Sequence, residues 1–437
     1  MKISIIGTGY VGLVTGVGLA SKGHEVICVD IDSSKVNMIN QGVPPIYEEG
    51  LEEMLEEVVG DGKLRATEDT DEAVLSTEVT FICVGTPSKD TGEFDLSYVK
   101  SAAEDVSNAL KEKETYHVVC VKSTVLPGTT DSVVLPILER SGKKVGEDIG
   151  LAMNPEFLRE GKALPDFLEP DRIVIGGIDE KSSATIEEIY SGFDAPKLVT
   201  NLRTAEMIKY TSNALLATKI SFANEISRLC EKIGVDVYDV MDGAGMDHRI
   251  ERRFLNAGAG FGGSCFPKDV KALLGLAEKE GLGANLLRSV LGVNETQPIH
   301  VVDLLEEELS GLGDKTIALL GLTFKGDTDD VRESRALPIA EELMKRGALV
   351  RAYDPEGKEN FSKLIDGITY ADSVEDALRD ADGCIIQNDW EEFKELNQRS
   401  FSEMKNKVIV DGRRILDADA FSDDIIYIGV GRGKNTK

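Results

Sequence analysis

One cysteine of this sequence stands where a reactive thiol would stand. Cys265 lies in GFGGSCFPKD (Gly260 to Asp269), between paired glycines and a Pro-Lys-Asp step that opens a helix-like run. The other five cysteines, Cys28, Cys83, Cys120, Cys230 and Cys384, sit inside apolar strand-like or helical runs and read as small core residues. The thiolate is the nucleophilic form of cysteine, and a neighbouring cation or a helix N-terminus favours it. Cys265 has Lys268 and Asp269 just behind it. It is the one candidate nucleophile among the six. The flanking glycines predict backbone brought close to a ligand.

A second constellation is built for phosphates. In GTGYVG the residues Gly7, Gly9 and Gly12 satisfy G-x-G-x-x-G, with an apolar strand-like run before and a helical run after. Asp30 ends the next strand, about 20 residues on, where a carboxylate accepts hydrogen bonds from a ribose diol. Its charge would repel a 2′-phosphate, so the expected cofactor is NAD rather than NADP. VGTP and KSTV each close a later strand. Ligands of open parallel sheets bind beyond the carboxyl ends of the strands, so Gly85, Thr86, Ser123 and Thr124 are expected to line the dinucleotide.

A thiol beside a hydride acceptor has a specific chemical meaning. Oxidising an alcohol to an aldehyde needs only a base and the acceptor. Taking the aldehyde on to an acid needs a tetrahedral adduct that can give up a second hydride. A cysteine supplies it as a thiohemiacetal, which becomes a thioester and is then hydrolysed.

The elements that must position these groups alternate from the start: KISIIG, HEVICVD, VTFICVGTP, YHVVCVKST, IGLAMNPEF and RIVIGG read as buried strands with helical runs between several of them. Continuous apolar strands joined by helices predict a parallel sheet covered on both faces. From about Thr204 a long stretch, free of Pro and Gly until its end, is periodic at helical spacing, and helical patterning continues to roughly Glu308. From Lys315 the α/β rhythm returns without the full glycine fingerprint. The expected fold is two Rossmann-like parallel-sheet domains joined by a helical middle with a long connecting helix. The expected boundaries are 1–200 for the NAD-binding domain, 201–300 for a helical dimerisation domain carrying the cysteine, and 301–437 for a C-terminal α/β domain.

Composition narrows the class. The chain has 437 residues, 41% of them hydrophobic, and a net charge of −29, which argues against a nucleic-acid binder. There is no apolar run long enough to span a membrane and no signal-peptide pattern at MKISIIGTGYVG, so a cytoplasmic protein is expected. No CxxC spacing occurs and the four histidines are scattered. Neither a metal site nor a disulfide framework is expected. An anionic ligand would need local cations against this global field.

Four motifs in order, GTGYVGL, NPEFLREG (Asn154 to Gly161), EMIKYTSNALLATKISFANEI (Glu206 to Ile226) and GFGGSCFPKD, resemble the UDP-glucose and GDP-mannose dehydrogenase family. GLTFKGDTDDVRES (Gly321 to Ser334) and DGRRIL (Asp411 to Leu416) extend the resemblance over the whole chain. It implies a four-electron oxidation of a nucleotide sugar, UDP-glucose to UDP-glucuronate, with two NAD reduced. By resemblance Cys265 carries the thiohemiacetal and thioester. Lys209 and Asn213 support the developing oxyanion, and their i, i+4 spacing puts both on one helical face. Asp269 orients or deprotonates water, with Thr124 holding a water nearby. Glu160 matches a glutamate assigned as general base for thioester hydrolysis, and Glu156 lies one helical turn's count earlier; which carboxylate takes which proton stays open.

The same resemblance assigns Tyr10, Val11, Lys35, Lys268 and Arg332 to the cofactor along with Glu160. Glu156, Phe157, Leu158 and Arg159 border the sugar nucleotide, with Arg249 contributed from this chain or a neighbouring subunit. Asn256, Phe261 and Gly262 wrap the diphosphate, and Phe324, Lys325 and Arg413 hold the UDP portion. These cations are the local positive partners that a diphosphate requires. Family members form dimers or larger assemblies, and no nucleic-acid or membrane partner is expected. The same oxidation on GDP-mannose is the nearest alternative, since the cysteine loop is shared. Ser264 counts against N-acetylated UDP-sugars, whose dehydrogenases carry histidine there. A non-enzymatic NAD-binding sensor would have no reason to keep the Cys–Lys–Asn–Asp set.

Overall fold

Apolar β-branched runs punctuated by helices do form sheets here. In a computed structural model, which describes residues 1–87 and 95–433, the chain divides into two compact units, Met1–Ser212 and Asn213–Lys437.

The first unit holds eight strands: β1 (Lys2–Ile6), β2 (Glu25–Val29), β3 (Leu64–Thr67), β4 (Val79–Ile82), β5 (His117–Val121), β6 (Ile149–Met153), β7 (Ile173–Gly177) and β8 (Lys197–Asn201). Their order in the sheet is β3-β2-β1-β4-β5-β6-β7-β8. β2 and β3 are added on one side of β1 and β4 on the other, all parallel, so the carboxyl ends of β1 and β4 open at a switch point. β4, β5 and β6 are buried along their whole length, as strands covered on both faces must be. One expectation needs correction: β6 and β7 pair antiparallel, Ala152 with Gly177 and Met153 with Gly176. A parallel return needs a crossover that carries the chain back across the sheet. Here the connection stays at the carboxyl end of β6 as the loop from Asn154 and the short helix Ala163–Leu168. That keeps the NPEFLREG segment beside the ligand edge.

The long helix runs unbroken over Leu202–Ile233, as its freedom from Pro and Gly predicts. In the second unit, Ala223 and Cys230 of this helix share a core with Val301, Val302 and Leu305 of the helix Asn285–Leu309 and with Ile317 and Leu319 of the second sheet. That sheet contains β9 (Thr316–Leu320), β10 (Leu349–Tyr353), β11 (Thr369–Tyr370), β12 (Gly383–Ile386), β13 (Val408–Asp411) and β14 (Ile426–Gly429), in the order β11-β10-β9-β12-β13-β14. Every pairing in it is parallel. Among the described residues no helix is long and apolar enough to cross a membrane.

Candidate functional site

The turn after β1 is shaped for close approach. Gly7 sits at φ +96°, which side chains rarely adopt, and a Cβ on Gly12 would lie 1.9 Å from the Gly7 carbonyl oxygen. A Cβ on Gly9 or Gly85 would meet nothing within 4 Å, so backbone faces open space at both. This is a cradle that a pyrophosphate can enter and a side chain would fill. Val11 opens the following helix, Tyr10–Ser21, half-buried. The Tyr10 hydroxyl accepts from the Gly161 amide at 2.6 Å and bonds the Glu48 carboxylate.

Asp30 is held ready beside that turn. Its Oδ2 accepts from the Thr8 amide (2.9 Å) and hydroxyl (2.5 Å), and Lys35 Nζ lies 4.0 Å away. Burial pushes its carboxyl up, but the bonds from Thr8 and the Asp32 amide and the Lys35 charge hold it below the usual range. Ser123 donates to the Val84 carbonyl at 2.7 Å, tying the end of β5 to the end of β4. Thr86 is buried next along, and Thr124 is half-buried after Ser123.

The end of β6 builds a charged cluster inside the same unit. Lys209 Nζ lies 2.8 Å from Glu156 Oε1, and both side chains are buried. Glu156 Oε2 accepts from the Leu158 amide at 2.6 Å. The Phe157 ring has the Arg172 guanidinium 3.9 Å and the Lys209 ammonium 5.5 Å from its centroid. Arg159 turns outward to pair with Asp166 at 2.6 Å, while Glu160 stays half-buried.

Lys122, Asn154 and Tyr190 of this cluster were not singled out as site residues from the sequence. Lys122 is buried at the end of β5 and donates to Asn154 Oδ1 at 2.8 Å; the Tyr190 hydroxyl donates to the same oxygen at 2.7 Å. Burial lowers the Lys122 ammonium's pKa, and Lys209 lowers it further, while Glu156 works against both. The signal was present in KSTV: a lysine ending a fully apolar strand must find a partner indoors.

The second unit holds the thiol. Cys265 is half-exposed and takes the N-cap position of the helix Phe266–Lys279, whose first turn contains Pro267 and Asp269. The other five cysteines are buried. Burial pushes Cys28 and Cys83 up to about 12. A thiol at a helix N-terminus faces the positive end of the dipole, the opposite influence. Asp269 is buried one turn on, and Asn213 Nδ2 donates to its Oδ2 at 2.6 Å. Lys268 Nζ is 3.9 Å from Asp269 Oδ1.

The side-chain space of the glycines in this loop is taken by the protein itself. A Cβ on Gly260 would fall 2.7 Å from Asn294 Oδ1, one on Gly262 2.3 Å from the Glu333 carbonyl, and one on Gly263 2.8 Å from the Phe324 ring. The loop lacks bulk because the segment Phe324–Glu333 packs directly on its backbone. Asn294, on the helix Asn285–Leu309, grips both the Phe261 amide (2.7 Å) and its carbonyl (3.0 Å). It was invisible in sequence because it sits a full helix away.

Arg413 Nη2 donates to the Phe324 carbonyl at 3.0 Å, and Lys325 Nζ stands 5.7 Å from the Phe324 ring centroid. These three therefore cluster. Asn256 is exposed and accepts from Arg252 at 2.7 Å. Arg249 is exposed and paired with Asp247 (Nε to Oδ1, 2.9 Å), and Arg332 is exposed and paired with Asp330 (2.7 Å). Arg332 meets the Cys265 loop through its backbone, its carbonyl accepting from the Gly263 amide at 3.0 Å. Among the described residues no group of His, Cys, Asp and Glu is arranged to hold a metal ion.

Family models now match the chain in three consecutive pieces. Residues 1–194 match the NAD binding domain of the UDP-glucose/GDP-mannose dehydrogenase family, 203–296 its central domain and 318–418 its UDP binding domain. The chain belongs to the UDP-glucose/GDP-mannose dehydrogenase family. It is an NAD-dependent oxidoreductase, and the glycine turn, Asp30 and the open space over Gly9 and Gly85 fit that cofactor. A relative in Haloferax volcanii, UDP-glucose 6-dehydrogenase AglM, is 45% identical over 95% of this chain and 97% of its own. The solved UDP-glucose dehydrogenase of Pyrobaculum islandicum superposes with a TM-score of 0.92 at 44% identity, covering 98% of this chain and 97% of that one. A UDP-D-ManNAc dehydrogenase from Pyrococcus horikoshii superposes at 0.88 with 34% identity and full coverage of both chains. Family membership thus leaves the sugar to be argued from residues.

Proposed function

We propose that the protein oxidises the C6 alcohol of UDP-glucose to the carboxylate of UDP-glucuronate. The observation that carries the four-electron oxidation is the placement of Cys265: half-exposed, at a helix N-terminus, one turn before an Asp269 held by Asn213. A single oxidation of an alcohol has no use for such a thiol.

Bound NAD supplies the hydride acceptor for each of two successive oxidations at one carbon. Lys209 and Asn213, one turn apart on the long helix, direct an ammonium and an amide at the oxygen that gains charge. Glu156 balances the Lys209 charge at 2.8 Å, so a buried cation is kept without a free counter-ion. The Cys265 thiolate adds to the C6 aldehyde carbon: the C–S bond forms as the carbonyl π bond opens, and the negative charge passes to the oxygen of the adduct, with no proton to remove. Oxidation of that adduct leaves a thioester. Water activated by Asp269 or Glu160, with Thr124 holding it, attacks the thioester carbon. The thiolate leaves, and the carboxylate and a proton are released.

The UDP portion is assigned to Phe324, Lys325 and Arg413, with Phe157 to Glu160, Asn256, Phe261 and Gly262 bordering the rest, and Arg249 and Arg332 completing the charge. The division of labour is 1–200 for NAD, 201–300 for dimerisation and the cysteine, and 301–437 for the nucleotide. Leu215, Phe222 and Leu229 recur every seven residues along the long helix and are 60%, 54% and 54% exposed, which supports a homodimer or larger homo-oligomer. The reading places the protein in the cytoplasm. UDP-glucose is favoured over GDP-mannose by the DTDDVRES and DGRRIL segments and by the names of the relatives. Counting NADH formed per sugar with each nucleotide sugar tests it. Two per UDP-glucose is expected; no turnover with UDP-glucose overturns the substrate assignment.

A further inference from the structure

Asp354 and Asp30 occupy equivalent places in the two sheets. Ile6 of β1 pairs with Val29 and Ile82, and Leu320 of β9 pairs with Tyr353 and Ile386. Gly7 and Gly321 follow, at φ +96° and +95°, and each donates its amide at 2.8 Å to the carbonyl ending the neighbouring strand, Val29 or Tyr353. Asp30 and Asp354 are the next residues. Asp30 Oδ2 accepts from the Thr8 amide at 2.9 Å, and Asp354 Oδ2 from the register-equivalent Leu322 amide at 2.7 Å.

From there the two turns diverge. Over the first, the Cβ positions of Gly9 and Gly85 are open. In the second, Thr323 and Asp389 stand at the matching positions, and the buried Asn388 side chain presses on Gly321, where a Cβ would lie 2.4 Å from Asn388 Oδ1. Asp354 is 2% exposed. Its Oδ2 also accepts from Asn388 Nδ2 (3.2 Å) and Trp390 Nε1 (3.1 Å), and its Oδ1 from the amides of Glu356 (3.0 Å) and Gly357 (2.7 Å). No lone pair is left for a ribose.

What the inward carboxylate does is hold the segment after β9. Asn388 Nδ2 donates to Thr323 Oγ1 at 2.8 Å, and that hydroxyl donates to the Lys325 carbonyl at 2.8 Å. Arg413 ties the Phe324 carbonyl (3.0 Å) to the Gln387 carbonyl (2.8 Å). We propose that Asp354 is a positioning residue for nucleotide-sugar binding: the second domain retains a dinucleotide-type turn, closed by Asn388 and Trp390, whose carboxylate fixes the Leu322–Lys325 segment. This rests on the assignment of Phe324 and Lys325 to the UDP portion.

The test uses the full-length protein and three variants, Asp354→Asn, Trp390→Phe and Lys325→Ala, with UDP binding by calorimetry and initial rates against each substrate. Asp354→Asn turns an acceptor into a donor facing donors. It is expected to weaken UDP binding and raise the KM for UDP-glucose about tenfold, with kcat and the KM for NAD within about twofold. Trp390→Phe, which removes one donor and serves if Asp354→Asn does not fold, shifts UDP affinity in the same direction by less. Unchanged UDP affinity in both, with Lys325→Ala weakened, overturns the role of Asp354 and leaves the site assignment standing. Unchanged affinity in Lys325→Ala overturns the assignment, and the proposal with it. An equal rise in the KM for NAD overturns it too, as general damage to the fold.

Discussion

Lys209 and Glu156 form a 2.8 Å ion pair with side chains only 3% and 7% exposed. A buried pair contributes little net stability over an apolar pair, but removing one partner strands the other charge in a dry interior. Lys209→Ala is therefore expected to lower unfolding stability by about 3–5 kcal/mol and kcat by about a hundredfold to a thousandfold. Urea midpoints and initial rates read the two effects separately. A variant with an unchanged midpoint would show that the pair is not buried in solution.

Acid should weaken this pair in a definite direction. Burial pushes the Glu156 carboxyl up, but the Lys209 charge and hydrogen bond, the Leu158 amide and Lys122 bring it below the ordinary glutamate value. A lowered carboxylate contributes stability above its unfolded pKa and loses it as pH falls through the folded one. The stability difference between wild type and Glu156→Gln should shrink between about pH 5 and pH 2. Urea unfolding across that range checks it; a gap that widens on acidification would contradict the assigned sign.

Cys265→Ser keeps the shape of the loop and loses the thiolate. The variant should not complete the four-electron oxidation, so NADH formed per sugar falls below two. Full wild-type stoichiometry and rate would remove the covalent step from the mechanism.

Asp30→Ala removes the acceptor beside Thr8 and Lys35. A hydrogen bond to a charged group is worth about 1.5–3 kcal/mol, so the KM for NAD should rise about tenfold to a hundredfold. The KM for UDP-glucose should not move. An equal rise in both would place Asp30 in the framework instead of the cofactor site.

Gly12→Ala puts a methyl 1.9 Å from the Gly7 carbonyl. Backbone must shift there, and the cradle deforms. Fluorescence titration should find NADH binding lost in this variant, whereas Gly9→Ala, with nothing within 4 Å of its Cβ, should fold normally and block only the ligand.

Local signals carried far in this chain. The strands, the unbroken helix over Leu202–Ile233 and the glycine turn with Asp30 were legible because periodicity, propensity and turn chemistry are local properties. Cys265 was legible because five other thiols lie in apolar runs. Tertiary structure alone decided the rest. The antiparallel return of β7 depends on where a loop finds packing. The pairing of Lys122 with Asn154 joins strand ends 32 positions apart, and the grip of Asn294 on Phe261 spans 33. Whether Asp354 faces a ligand or turns inward depended on Asn388 and Trp390, more than 30 residues later. Sequence spacing specifies which residues share an element; which donors meet which acceptors across elements is settled only when the sheets close and buried polar atoms must find partners.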